Sequence, residues 1–244
     1  MVASFIDRVK TWSVNYYATR KLLRIKAQLN IRKTAKKKLV SFSLYGQNPC
    51  YSDGAVENAK AVLSFYPGWV ARFYVASDID KKIVEQLIKY QAEVIVMHAK
   101  AIEFRYMLWR YLAYDDPAVE AVIFRDSDSL ISEREIQAVN EWLLSSKHLH
   151  LMRDHVQHNS RIMGGMFGLK KSNRLKKFKT KMLRHPKQSA YGADQAFLNH
   201  IIYPLFKDDV IIHDHHHLFI DEQVLKFPLP RVNNEFVGDT IFRN

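Results

Sequence analysis

Between Lys38 and Phe124 the chain alternates short runs of β-branched and aromatic residues with longer amphipathic stretches, and this alternation restricts its possible folds more than any other feature. Lys38–Tyr45, Trp69–Ala76, Glu93–Met97 and Ala121–Phe124 each read as a strand. The sequence predicts helices between them: one capped by Asp53 and running to about Tyr66, one over Asp80–Tyr90 and one over Glu103–Tyr114. Asn48-Pro49, Pro67-Gly68 and Asp116-Pro117 punctuate the boundaries. Strands that alternate with helices of this length predict a largely parallel sheet. A chain of 244 residues, 48% hydrophobic and 12% aromatic, has enough apolar material for the core of one α/β domain.

The fourth strand runs into Val122-Ile123-Phe124-Arg125-Asp126-Ser127-Asp128-Ser129, where an apolar run ends in two carboxylates one residue apart. Ligands of open α/β sheets bind outside the carboxyl ends of the strands. Two hard oxygen donors at such an edge suit Mg²⁺ or Mn²⁺ shared with a phosphate, while a solvated turn is the plainer reading. The first strand-to-helix loop has neither a Gly-x-Gly-x-x-Gly nor a Walker pattern, which disfavours a classical dinucleotide fold and a P-loop NTPase.

Beyond this motif, Ser132-Glu133-Arg134-Glu135 has the form of a capping box, opening a helix to about Ser146. His148–Asp154 reads as a strand, followed by His155 and His158. Gly164, Gly165 and Gly168 place three of the eight glycines within five residues, as a close backbone approach to a ligand or a β-bulge requires. Lys170–Arg184 reads as a basic, solvated helix. Asp194 falls in the first turn of a helix that opens near Tyr191, a favourable place for a negative charge. Val210–Ile212 is a last apolar run leading into His213-Asp214-His215-His216-His217. If that strand continues, His213, His215 and His217 share a face, as in a zinc site; a solvated turn is the alternative.

Charge is concentrated at the N-terminus. Residues 1–38 carry eleven Lys/Arg and one Asp, a net of +10, within an overall +12. Phe5, Val9, Trp12, Tyr16, Leu23 and Ala27 recur near helical spacing and predict an amphipathic helix over 4–33. Residues 1–37 thus read as a basic helical arm before a domain over 38–244, suited to an anionic membrane surface, a protein partner or its own domain. Since the basic excess avoids the rest of the chain, nucleic acid is not the expected partner. The single cysteine, Cys50, fits a reducing compartment, and the lack of an apolar run of membrane-spanning length predicts a cytoplasmic protein, peripheral at a membrane if the arm binds one.

The segments FRDSDS, SEREIQAVNEWL, HLHLMRDHVQH, IMGGMFG and YGADQAFL, in this order, resemble small GT-A glycosyltransferase domains of large algal DNA viruses and some microbes. The resemblance covers roughly Leu39 to Gly238 and implies a GT-A, Rossmann-like single domain. It implies transfer of a sugar from a nucleotide diphosphate, a UDP-sugar, to a hydroxyl of a glycan or glycoconjugate. In that family Asp-x-Asp holds a divalent metal on the donor diphosphate, which here implies Asp126 and Asp128, with His213 as third protein ligand and Mn²⁺ or Mg²⁺ as cofactor. Ser43, Leu44, Tyr45 and Gly46 match the nucleotide-binding loop, with Tyr45 either stacking on the base or serving as an ordinary strand-end aromatic. Asp126, Ser127, Gly164 and Gly165 then face the donor. By its place on the helix before the strand, Arg105 is the candidate to bind the diphosphate bidentately, with a surface ion pair as the alternative. Asp194-Gln195 resembles the donor-sugar pair of retaining, glycogenin-like enzymes and tilts the reading to retention. If the reaction instead inverts, Asp154 or Asp194 must serve as the base. Leu130 and Phe167 depart from the family, where Arg and Trp are usual. Three rivals share parts of this pattern: a haloacid-dehalogenase-type phosphatase, a nucleotidyltransferase and a non-catalytic nucleotide-sugar binding module. The phosphatase puts its Asp after the first strand, and the nucleotidyltransferase wants a Gly-Ser helix start that is absent here.

Overall fold

In the computed structural model of the chain, residues 9–13, 36–98, 103–185 and 192–240 are described, with 9–13 and 103–105 as backbone. Eight strands form one sheet in the order β1-β4-β3-β2-β5-β7-β6-β8. They are β1 (Val9–Ser13), β2 (Lys37–Leu44), β3 (Trp69–Ala76), β4 (Glu93–His98), β5 (Val119–Arg125), β6 (Leu149–Arg153), β7 (Met166–Lys170) and β8 (Val210–Asp214). Among the described strands only the pairings of β7 with β5 and β6 are antiparallel. The expected mostly parallel α/β sheet is therefore present. Leu39 to Leu44 are buried without alternation, as a strand covered on both faces requires.

The helices are α1 (Pro49–Phe65), α2 (Lys81–Lys89), α3 (Glu133–Leu144), α4 (Phe178–Arg184), α5 (Ala193–Phe197) and α6 (Tyr203–Phe206), with a π-turn at Leu198–Ile202. Helix α1 starts earlier than Asp53. Asn48 caps it by accepting from Cys50 N at 3.0 Å, and Pro49 occupies the first turn, where its missing N–H is harmless. Glu103–Asp115 is a 3₁₀ segment instead of an α-helix, pinned to β2 by two serines. Ser41 Oγ donates to Arg110 O at 2.8 Å, and Ser43 Oγ donates to Met107 O at 3.1 Å and accepts from Arg110 N at 2.9 Å. The basic stretch after Lys170 is helical only over α4.

Within the N-terminal arm, residues 9–13 differ from the helix their periodicity predicts. Val9–Ser13 forms β1 and pairs parallel with β4, from Val9 opposite Val94 to Ser13 opposite His98. An open strand edge offers unpaired N–H and C=O groups, and the β-branched Val9 and Thr11 suit a strand; pairing outweighs local helical spacing. The remainder of that expected helix, residues 4–8 and 14–33, lies outside the described residues.

Three features of the core place the site. Phe42 and Phe73 stack at 4.5 Å across β2 and β3. Tyr111, Phe124, Phe167 and Phe178 pack together and lock the 3₁₀ segment and α4 onto β5 and β7. Strand β2 lies between β3 and β5, so the chain order reverses there and opens a crevice at the carboxyl ends of β2 and β5.

Candidate active site

The crevice is built where Tyr45 follows the end of β2 and Asp126 follows the end of β5. Ser43, Tyr45, Tyr51, Met107, Arg110, Asp126, Ser127 and Asp128 line a cleft there of about 300 Å³, open solvent included. Tyr45 stands edge-on to Tyr106 at 5.5 Å and to Trp109 at 6.5 Å, and burial pushes its hydroxyl up to about 12. Leu44 is fully buried core, Gly46 makes a turn at φ +80°, and the Ser43 hydroxyl is committed to the 3₁₀ segment.

Arg110 is the arginine that reaches the two carboxylates. Its Nη1 pairs with Asp126 Oδ1, and its Nη2 lies 3.3 Å from Asp194 Oδ2. The Tyr111 hydroxyl lies 3.1 Å from the same Asp194 oxygen and donates to Gly164 O at 3.0 Å. Burial alone raises the pKa of Asp126, but the charge and hydrogen bond of Arg110 outweigh it and leave Asp126 below the usual carboxylate range. Asp128 moves the other way, raised by burial and then by the charge of Asp126.

The two glycines cover this cluster. A Cβ on Gly165 would overlap Asp126 Oδ2 and stand 2.5 Å from its Cγ; one on Gly164 would overlap Asp194 Oδ2. Both positions thus need glycine for close backbone approach. Arg125, fully buried, supports them from below: its Nη1 donates to Gly165 O at 2.9 Å and its Nη2 meets Glu135 at 3.0 Å. Ser132 does cap α3, accepting from Glu135 N at 3.3 Å, but the Glu135 carboxylate serves Arg125.

Tyr45, Asp126, Ser127 and Asp128 thus line one cleft, Gly165 packs against Asp126, Gly164 against Asp194, and Gln195 follows on α5 with a half-buried side chain. Arg105 has its backbone in the 3₁₀ segment and its side chain outside the described part; Arg110, five residues on, holds Asp126. Its place in the buried run Leu108-Trp109-Arg110-Tyr111 was the available signal, since a charge in an apolar run needs a partner.

Two expected site residues stand elsewhere. His213 is on β8, three strands from β5, or roughly 14 Å at about 4.8 Å per strand. Its Nδ1 faces His150 Nε2 at 2.9 Å, and its Nε2 faces Glu141 Oε2 at 3.1 Å. It is a buried core histidine and does not join Asp126 and Asp128. The strand ends at Asp214, so His213, His215 and His217 share no strand face. Asp154 is fully buried and occupied. Arg134 holds both of its oxygens, at 2.8 and 2.9 Å, Arg231 lies 3.2 Å away, and Val237 N donates at 2.9 Å. It anchors the C-terminal segment and has no open face for an acceptor hydroxyl. Phe167 lies in the core against Phe124 at 4.6 Å, and Leu130 is partly exposed.

The donor set fits a hard divalent cation. Asp126 keeps its second oxygen free of Arg110, and Asp128 carries a carboxylate whose charge its neighbour opposes. Among the described residues no cluster of three or more His, Cys, Asp or Glu side chains forms a metal cage. The two aspartates would thus hold the ion together with phosphate oxygens and water, as Mg²⁺ and Mn²⁺ sites commonly do.

No protein-family model matches the sequence, and no curated protein sequence matches it. Similar folds occur among solved structures. The mannosyltransferase PcManGT of Pyrobaculum calidifontis, solved with GDP-Man and Mn²⁺, aligns at a TM-score of 0.51 and 13% identity, over 78% of this chain and 59% of that chain. Glucosyl-3-phosphoglycerate synthase of Mycobacterium tuberculosis, solved with Mn²⁺, UDP and glucosyl-3-phosphoglycerate, gives 0.46 at 14% identity over 72% and 69%. The 4-diphosphocytidyl-2C-methyl-D-erythritol synthase of Anaerococcus prevotii gives 0.48 at 10% identity over 74% and 88%. The fold is GT-A, a single mixed α/β domain with a mostly parallel sheet. At these identities the likeness concerns the fold alone. No helix among the described residues is long and apolar enough to cross a membrane.

Proposed function

We propose that the chain is a metal-dependent glycosyltransferase that moves a sugar from a nucleoside diphosphate donor, a UDP-sugar, to a hydroxyl of a glycan or glycoconjugate. The observation that carries this reading is the convergence of Asp126 and Asp194 on Arg110 beneath Gly164-Gly165, beside a cleft walled by Tyr45. A nucleotide sugar needs those three things in one place: a flat surface for the base, charge for the diphosphate and acceptors for sugar hydroxyls.

Each residue then has a role. Tyr45 stacks on the base. Asp126 and Asp128 hold Mn²⁺ or Mg²⁺, which supplies positive charge against the leaving diphosphate. Arg110 contributes a second, permanent cation on the same side. Gly164 and Gly165 let the backbone approach the donor. Asp194 and Gln195 orient sugar hydroxyls, and this pair, with Asp154 withdrawn into ion pairs, favours retention. The phosphatase rival fits less well, because four strands precede β5 in the chain. The basic arm, as a membrane-surface contact, is tested by sedimentation with anionic liposomes in low and high salt.

The deciding experiment compares wild type with Asp128→Asn in a UDP-release assay over a panel of UDP-sugars with and without Mn²⁺. Wild type releases UDP over many turnovers and only with metal; Asp128→Asn keeps its fold and loses that release. Binding of a nucleotide sugar without turnover would select the binding-module alternative. Unchanged turnover of Asp128→Asn at limiting Mn²⁺ would remove the motif from the chemistry.

A further inference from the structure

We infer that Asn58, in the middle of α1, is the positioning residue that sets the Asp126–Asp128 loop in shape for metal; the inference rests on the glycosyltransferase reading and deepens it. Asn58 is fully buried, and its whole carboxamide serves this one loop. Nδ2 donates to Ser127 O at 3.1 Å and to Ser129 O at 3.0 Å, and Oδ1 accepts from Ile131 N at 3.2 Å. Two of these groups flank Asp128 in the chain.

The reason for such a clamp is local. Strand β5 ends at Arg125, so the peptides of Ser127 to Ile131 have left the ladder that satisfied the residues before them. Buried peptide groups need partners, and Ser127, Ser129 and Ile131 are all buried. Ser129 gains a second tie from the opposite side, where its Oγ donates to Gly238 O at 3.2 Å. The loop is thus held between α1 and the C-terminal segment.

Asparagine suits this position chemically. The loop presents two carbonyls and one N–H, and a primary amide offers two donors and an acceptor in one plane. Aspartate lacks the donors, leucine lacks both kinds of group, and glutamine is one methylene longer. Ala55 and Ala59, both fully buried, keep α1 close enough for so short a side chain to reach. Asn58 touches none of the reacting groups. Its effect is to fix the peptide planes on either side of Asp128, so that the ion meets two carboxylates already aimed at the cleft. Without the clamp, ordering the loop is charged against metal binding.

The test measures Mn²⁺ binding directly, by electron paramagnetic resonance of free Mn²⁺ in the presence of UDP, beside UDP release as a function of Mn²⁺. The proteins are wild type, Asn58→Ala, Asn58→Ser and, as a stability control, Asp115→Ala. Asp115 caps α4 by accepting from Phe178 N at 2.9 Å and Lys179 N at 2.8 Å, and it lies outside the cleft. Asn58→Ala and Asn58→Ser are expected to weaken Mn²⁺ binding by about tenfold, the scale of leaving buried peptide groups unpaired. Asp115→Ala loses melting temperature but keeps Mn²⁺ affinity within about twofold, since its two bonds tie the end of the 3₁₀ segment to α4 and neither reaches the Asp126–Asp128 loop. Folded Asn58 variants that bind Mn²⁺ as tightly as wild type overturn the inference, and if Asn58→Ala does not fold, Asn58→Ser decides. A wild type that binds no Mn²⁺ with UDP overturns instead the metal reading beneath it.

Discussion

Arg110 Nη2 and Asp194 Oδ2 stand 3.3 Å apart although 84 residues separate them in the chain, and the same guanidinium grips Asp126. Asp126 and Asp194 thus share one cation. A lysine at this position is a single point charge and cannot span both. Arg110→Lys is expected to lower kcat/KM for the donor by about a hundredfold, the scale of a misplaced reacting group. Steady-state UDP release against donor concentration checks this, and wild-type kinetics in the variant would dissociate Arg110 from the donor.

Gly165 and Gly168 separate site from scaffold. Alanine at Gly165 collides with Asp126, whereas alanine at Gly168 meets the Trp142 ring at 2.8 Å. Both overpack a filled space and should cost about 1–3 kcal/mol of stability. Only Gly165→Ala should also weaken Mn²⁺ binding, because only it displaces Asp126, a carboxylate proposed to hold the ion. Thermal melts paired with Mn²⁺ titrations read both effects on the same samples.

Asp154 should matter to stability and not as a base. Burial raises its pKa, but Arg134, the Val237 N–H and Arg231 outweigh burial and hold it below the ordinary value. A depressed carboxylate contributes stability that is present above its unfolded pKa, about 3.9, and is lost as pH falls through the folded value. Asp154→Asn leaves Arg134 and Arg231 without their counter-charge and should cost about 3–5 kcal/mol. Urea unfolding at pH 7 measures that loss. Turnover per folded molecule should stay near wild type, and its collapse would return Asp154 to the chemistry.

His213→Ala should leave the Mn²⁺ requirement of UDP release unchanged and lower stability, because the ring lies between His150 and Glu141. Burial lowers the pKa of His213, against the opposing pull of Glu141; burial, His213 and Lys170 lower that of His150 much further. In the window between folded and unfolded values the unfolded chain binds more protons, so stability rises with pH. It is therefore full above about pH 6.5 and declines as pH falls below it. The urea midpoint of wild type should drop between pH 7.5 and 5.5, and His150→Phe should flatten that dependence. A midpoint equally steep in both proteins would remove the histidine pair from the acid response. His158, held down to about 4 by burial and by His155, contributes to the same slope.

What lay in the sequence was the information carried by neighbours along the chain. The strand–helix alternation from Lys38 to Phe124 led to a largely parallel sheet because side-chain period and turn residues are local properties. Asp126 and Asp128 followed an apolar run and so had to leave the sheet at its edge. Gly164 and Gly165 were conspicuous because consecutive glycines are costly unless backbone must come close to something. Lateral order and facing decided the rest. The sequence does not say that β7 and β6 stand between β5 and β8, and this spacing removes His213 from Asp126 and Asp128. Nor does it say that Glu103–Asp115 winds as a 3₁₀ segment bonded to Ser41 and Ser43, which turns Arg110 to Asp126. Val9–Ser13 had helical periodicity, yet it pairs with an open strand edge created by residues some 85 positions later. Asp154 and Asn58 are the same lesson at single-residue scale. Each is a polar side chain that burial obliges to find partners, and those partners come from segments that only the folded chain brings together.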